Sequence, residues 1–240
     1  MNARTRLVDG LLGIAAAVSL ATTIILGLRL PPTQEQDEYA RLIAVHPAIA
    51  WTAYLAFGVM AVASVLWLIP ATRSRVWDRL AASAAEVGVV FTALMLVTGS
   101  IWGRPTWGAW WVWDARLTLS ALMLALLLGY VALRRVSVDV ERRALVSAVA
   151  AVASVVVIPI NHFAVTWWRT LHQGRSLARV APSSELDGEY IAVMLVGFVA
   201  MTLVFAWLLQ RRYRLEVLEG ETDDAGLAAA IAERRREALV

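Results

Sequence analysis

The chain has 240 residues, is 60% hydrophobic and only 17% charged, and carries a formal net charge of +3. A soluble domain sits nearer about 45–50% apolar and about 25% charged. The apolar excess therefore argues against an ordinary water-soluble globule. With no cysteine in the chain, disulfides, thiolate metal sites, cysteine nucleophiles and thiol redox chemistry are excluded. Apolar runs of roughly 18–25 residues recur, each able to cross a hydrocarbon core about 30 Å thick as a helix. Their Ala/Leu/Val blocks lack the alternation a transmembrane barrel requires. The predicted fold class is all-α, an integral membrane protein built as a six-transmembrane-helix bundle.

The first predicted span, 10–30, follows Arg4 and Arg6 and is stopped by Pro31-Pro32. It is long for a signal-peptide core and lacks an obvious small-residue cleavage site, so it reads as a retained anchor. The second, 48–69, opens after Pro47, whose missing N–H is no loss in a first turn, and stops at Pro70. The third covers 81–102 and contains Glu86 near one end. Such a carboxyl is costly in a membrane and turns toward protein or water. It either lines a substrate path or binds a neighbouring helix.

The segment from Trp102 to Asp114 holds five of the eleven tryptophans. Gly103, Arg104, Pro105 and Gly108 interrupt it, so it reads as an irregular aromatic connection rather than a span. The fourth span is 115–133, and the fifth is 144–161, kinked or ended by Pro159. The sixth covers 190–210. Residues 1–210 then form one membrane domain and 211–240 a short cytoplasmic tail, rich in Ala, Glu, Asp and Arg. That tail has no Gly-rich phosphate loop and is too small for an NTPase domain. Any ATP hydrolysis belongs to a partner.

Arginines cluster at alternate ends of the spans: Arg4 and Arg6; Arg73, Arg75 and Arg79; Arg134, Arg135, Arg142 and Arg143; Arg211, Arg212 and Arg214. The other side carries Arg41, Arg104, Arg116, Arg169, Arg175 and Arg179, fewer of them close to span ends. This bias predicts both termini in the cytoplasm and reads as topology, not nucleic-acid binding. The tryptophan segment and the loops 31–47 and 162–189 then face outward together.

All three histidines, His46, His162 and His172, fall on that outward side. Imidazole is a good axial ligand for haem iron and needs no thiolate. The plainer reading is interfacial histidines that only hydrogen-bond. Trp107, Trp110, Trp111 and Trp113, with Trp167 and Trp168, supply broad rigid surface suited to a planar ligand. An aromatic belt is the plainer reading here too, but a belt spreads over both interfaces. Asp114 stands at the start of the fourth span, where a carboxylate favours a helix N-terminus or fixes a loop. Arg104, Arg116, Arg169 and Arg175 suit propionate carboxylates, or equally lipid headgroups.

The stretch Val97–Thr118, with Trp102-Gly103-Arg104-Pro105-Thr106-Trp107-Gly108-Ala109-Trp110-Trp111-Val112-Trp113-Asp114 at its centre, resembles the signature of the Trp-Trp-Asp haem-handling family. Trp167-Trp168-Arg169-Thr170-Leu171-His172-Gln173-Gly174 and Val45-His46-Pro47-Ala48 resemble its haem exporter protein C branch, which serves bacterial cytochrome c maturation. The likeness extends over nearly the whole chain. It implies that His46 and His172 ligate the metal of haem b, a substrate held transiently, beside the tryptophan surface. His162 is a candidate by location only. The resemblance further implies a non-enzymatic role at the outer, periplasmic face of the bacterial inner membrane. The implied partners are ATP-binding cassette transporter subunits, a small membrane subunit and a membrane-anchored haem chaperone. Alternatives are a transporter moving haem through its own bundle, an assembly subunit that does not bind haem, and a b-type electron-transfer subunit.

Overall fold

The computed structural model describes residues 3–34, 36–136, 139–172 and 188–237. Its helices are α1 (Ala3–Arg29), α2 (His46–Leu68), α3 (Arg75–Trp107), α4 (Ala115–Val136), α5 (Val140–Ser154), α6 (Val157–Trp167) and α7 (Gly188–Glu237), with a 3-10 segment at Glu38–Ala44. Six helical stretches are long and apolar enough to cross a membrane, with α5 and α6 together making one of them. The all-α, six-span bundle read from the sequence is the fold observed.

Small residues set how closely the helices approach, as expected where lipid removes the hydrophobic drive for helix association. Ala53, Ala56 and Ala63 of α2 and Ala81, Ala84 and Ala85 of α3 are buried. Phe57, Met60, Met123, Leu127 and Tyr130 fill the space between α2, α3 and α4. A second cluster joins Ile49 and Ala53 to Phe91 and Met95 of α3 and to Met201 and Phe205 of α7.

The segment predicted as the outward loop 31–47 is more ordered than a loop. Its 3-10 segment packs Ala40, Ile43 and Ala44 against Leu30, Tyr190, Val193 and Met194. Ala44 fits a notch between Gly27 and Gly197. A Cβ on Gly27 would lie 2.8 Å from that of Ala44, and one on Gly197 would collide with the Ala44 carbonyl oxygen. Arg41 Nε donates to the Leu30 carbonyl at the end of α1 (2.7 Å). The start of α2, and His46 with it, is thereby held against α1 and α7.

Two predicted boundaries move. α3 does not stop at 102 but runs through Pro105 to Trp107. It ends where Gly108 adopts φ 78°, a left-handed conformation that favours glycine. The fifth span is broken at Val155–Val156, between α5 and α6, and continues to Trp167 instead of ending at 161. Pro159 accounts for the break: it cannot donate to the carbonyl four residues earlier, Val155, and its ring crowds that group. Ile158 N–H bonds the Val155 carbonyl instead (3.0 Å).

At the arginine-rich end, ion pairs knit the bundle. Arg134 grips Asp78 with two bonds of 2.6 and 3.0 Å. Arg211 and Arg214 reach Asp9 at 3.0 and 3.1 Å. Glu86 is clasped by Arg212 of α7, through both carboxylate oxygens. The sixth span does not end at 210; α7 continues unbroken into the expected tail as far as Glu237.

Candidate functional site

The opposite end of the bundle holds a cavity enclosing about 710 Å³ between atoms, its open mouth included. Its walls come from the start of α2 (His46, Ala50, Tyr54), the end of α3 (Met95 to Trp107), Trp111 of the connection, the start of α4 (Arg116, Leu117, Ser120) and His172.

His46 is the first residue of α2 and is buried, 9% exposed. Its Nδ1 lies 2.9 Å from Thr98 Oγ1, and its ring meets the Trp102 indole edge-on with centroids 5.6 Å apart. Trp102 is held in turn by donation from Nε1 to Gln36 Oε1 (3.0 Å). The imidazole lies on the bare backbone of Gly99, where a Cβ would sit 3.1 Å from His46 Cε1. One turn on, Gly103 makes the same room for Trp107, whose ring a Cβ would meet at 2.8 Å. Gly99 and Gly103 thus form a flat strip on α3 that seats a histidine and a tryptophan side by side.

His172 approaches from the segment after α6, its ring centroid 6.1 Å from that of Trp107. Its placement depends on Asp114. One carboxylate oxygen accepts from Leu117 N–H (2.8 Å), capping α4, and the other from Leu171 N–H (3.0 Å), beside His172. A single side chain therefore ties the helix that carries Arg116 to the segment that carries His172.

The cavity donors suit a flat anionic ligand with an electron-pair-accepting centre. Two imidazoles can ligate a metal, and Arg116 supplies positive charge. Trp111 Nε1–H is buried and has no hydrogen-bond partner within the described residues. An orphaned buried donor is costly, and an acceptor on a ligand would satisfy it. Among the described residues no cluster of three or more His, Asp or Glu forms a metal cage.

Of the candidates named from sequence, His46, His172, Trp107, Trp111 and Arg116 line this cavity. Trp110, Trp113, Trp167, Trp168 and Arg104 are not among its lining residues. Trp110 and Trp113 are 60% and 79% exposed, so the Trp107–Trp113 stretch is not one continuous floor. Arg104 donates to the Gly108 carbonyl (2.8 Å) and stabilises the end of α3. Trp167 stacks on Phe163 at 5.3 Å, while Trp168 packs edge-on to Trp167. His162, expected to close the fifth span, lies within α6 against Phe163 and outside the lining. Gln173, Gly174, Arg175 and Arg179 lie outside the described residues.

Sequence reading missed Tyr54, Thr98, Gly99 and Gly103 as site residues. The Gly-x-x-x-Gly spacing of 99 and 103 was a legible sign of close approach on one helix face. Nothing in the sequence revealed that the approaching group is an imidazole.

Six helical stretches of membrane length, with an end cavity lined by two histidines and three indoles, define a polytopic helical membrane protein. A family model described as "Heme exporter protein C" matches residues 2–227. Proteins of that name are similar over most of the chain. The one from Bradyrhizobium diazoefficiens is 38% identical over 84% of this chain and 78% of its own length. The Paracoccus denitrificans protein is 33% identical over 92% and 89%, respectively. The Escherichia coli K12 protein is 39% identical over 68% and 66%. The chain belongs to the heme exporter protein C family.

Proposed function

We propose that this chain handles haem during cytochrome c maturation. It binds haem b as a transient substrate at the outer face of the bacterial inner membrane and presents it to a membrane-anchored haem chaperone. The observation that carries this reading is the convergence of His46 and His172, from segments far apart in the chain, on one cavity with Trp102, Trp107 and Trp111. Family membership supports the class of substrate.

In this reading His46 and His172 hold the iron. Trp102, Trp107 and Trp111 offer apolar contact, and Arg116 pairs with a propionate. The exposed Trp110, Trp113, Trp167 and Trp168 extend the aromatic surface beyond the cavity mouth, where a partner collects the ligand. Arg104 supports the same surface by holding its turn. The chain makes and breaks no covalent bond in the substrate and is not an enzyme. Both termini lie in the cytoplasm, because the arginine-rich ends of α1, α3, α4 and α7 meet at the end opposite the cavity. Residues 1–210 form the membrane domain, and 211–240 the cytoplasmic tail, continuous with α7. ATP-binding cassette transporter subunits and a small membrane subunit complete the assembly. The Arg212 clasp on Glu86 favours a structural role for that carboxylate over a polar path through the bundle.

Optical spectra of the protein purified with its partners test the reading. His46→Ala and His172→Ala are expected to lower haem retention and chaperone loading while leaving the protein in the membrane. Normal bound-haem spectra and normal loading in both variants would reject the assignment.

A further inference from the structure

The hydrogen bonds around His46 carry information about which of its nitrogens meets a ligand. Thr98 Oγ1 has one proton, and the Leu94 carbonyl oxygen 2.7 Å away, one turn back along α3, is an acceptor for it. With its proton given to that carbonyl, the hydroxyl accepts from His46 Nδ1, 2.9 Å away. That places the imidazole proton on Nδ1 and leaves the lone pair on Nε2. The ring cannot readily turn over, since it is buried, rests on Gly99 and meets the Trp102 edge.

We propose that Thr98 is a positioning residue for haem binding: it relays the α3 backbone to His46, fixes the Nδ1–H tautomer and presents Nε2 to the iron. The proposal rests on the reading of His46 as a haem ligand. The physical consequence is twofold. A ligating histidine whose second nitrogen donates a hydrogen bond is oriented before the metal arrives, and it is more basic. Greater basicity favours ferric over ferrous iron, so Thr98 holds the reduction potential of bound haem down. Because the acceptor is an uncharged hydroxyl already committed to a carbonyl, the effect is weaker than a carboxylate would give. This suits a site that must also release its ligand.

The test compares wild type, Thr98→Val and Thr98→Ser in detergent, each titrated with haem. Valine keeps the shape of threonine and removes the hydroxyl; serine keeps the hydroxyl. Thr98→Val is expected to bind haem about 10–100-fold more weakly and to show a raised midpoint potential, with Thr98→Ser close to wild type in both. A valine variant that matches wild type in affinity and potential overturns the proposal, as does a serine variant that behaves like valine. A second readout needs no haem. Nitrogen-15 NMR of the His46 ring in the ligand-free protein is expected to show protonated Nδ1 and bare Nε2. Dominant Nε2 protonation in wild type refutes Thr98 as the cause even if haem binds. By contrast, an Nδ1–H tautomer in a protein whose haem spectrum survives His46→Ala refutes the ligand reading, and with it the proposed role of Thr98.

Discussion

Replacing Gly99 by alanine separates binding from folding at this site. The new methyl carbon would lie 3.1 Å from His46 Cε1 and 3.8 Å from Nε2. Carbon–carbon contacts are comfortable at roughly 3.5–4.0 Å, so the imidazole must retreat by about half an ångström. Its bond to Thr98 and the Trp102 edge oppose that movement. Overpacking of this kind costs about 1–3 kcal/mol, and about 1.4 kcal/mol is tenfold in affinity. Haem binding is therefore expected to weaken by about 5- to 150-fold. The same substitution favours the helix, because alanine exceeds glycine in helix propensity by about 1 kcal/mol. The ligand-free protein bears the same crowding, so its stability is expected to shift by no more than about 2 kcal/mol once the helix gain is set against it, while haem affinity falls. The assay is a haem titration followed by Soret absorbance, with thermal unfolding of the ligand-free protein in the same detergent. Undiminished haem affinity in Gly99→Ala would refute the claim that His46 is seated against this backbone when haem is held. A parallel collapse of stability would show that the helix, not the ring, had been disturbed.

Asp114→Ala removes two hydrogen bonds at once. Loss of the cap should cost about 1 kcal/mol, and hydrogen exchange is expected to quicken both at Leu117 and at Leu171; protection lost at Leu117 alone would mean that the His172 segment is held otherwise. Asp78→Ala strands Arg134, which is only 11% exposed, and should destabilise the bundle by about 3 kcal/mol or more, whereas the double change Asp78→Ala with Arg134→Met recovers much of that loss. Thermal unfolding of the single and double variants checks it, and equal losses in both would show that the charge pair itself is the stabilising element. These variants act at the end of the bundle away from the cavity, so haem affinity in whatever protein folds should stay near that of wild type.

Hydrophobic block length made the six spans legible, because the membrane imposes a length on any helix that crosses it. The prolines at 31, 32, 47 and 70 marked the limits of α1 and α2 for the local reason that proline lacks an N–H. The boundary at 102 was misplaced because the breaks from Gly103 onward were read as leaving the helix, Pro105 among them. In the structure it lies in the last turn of α3, and the helix ends only where Gly108 turns left-handed. Pro159 was rightly read as a disturbance, but its effect falls four residues earlier, on the carbonyl it would have bonded. Composition likewise singled out the tryptophans and histidines as unusual, since each residue type announces its own chemistry.

Only the tertiary structure separated those residues by position. Trp107 and Trp111 line the cavity while Trp110 and Trp113 stand in the open, although all four belong to one short segment. The direction of an indole off an irregular connection depends on the Gly108 turn and on what α4 and the His172 segment leave vacant. The seat of His46 was hidden for the same reason. It requires Ala44 in the notch of Gly27 and Gly197 to fix where α2 begins, and Gly99 of another helix to admit the ring. A sequence on its own determines which segments enter the membrane and which groups can bind; contacts between segments far apart in the chain decide which of those groups meet.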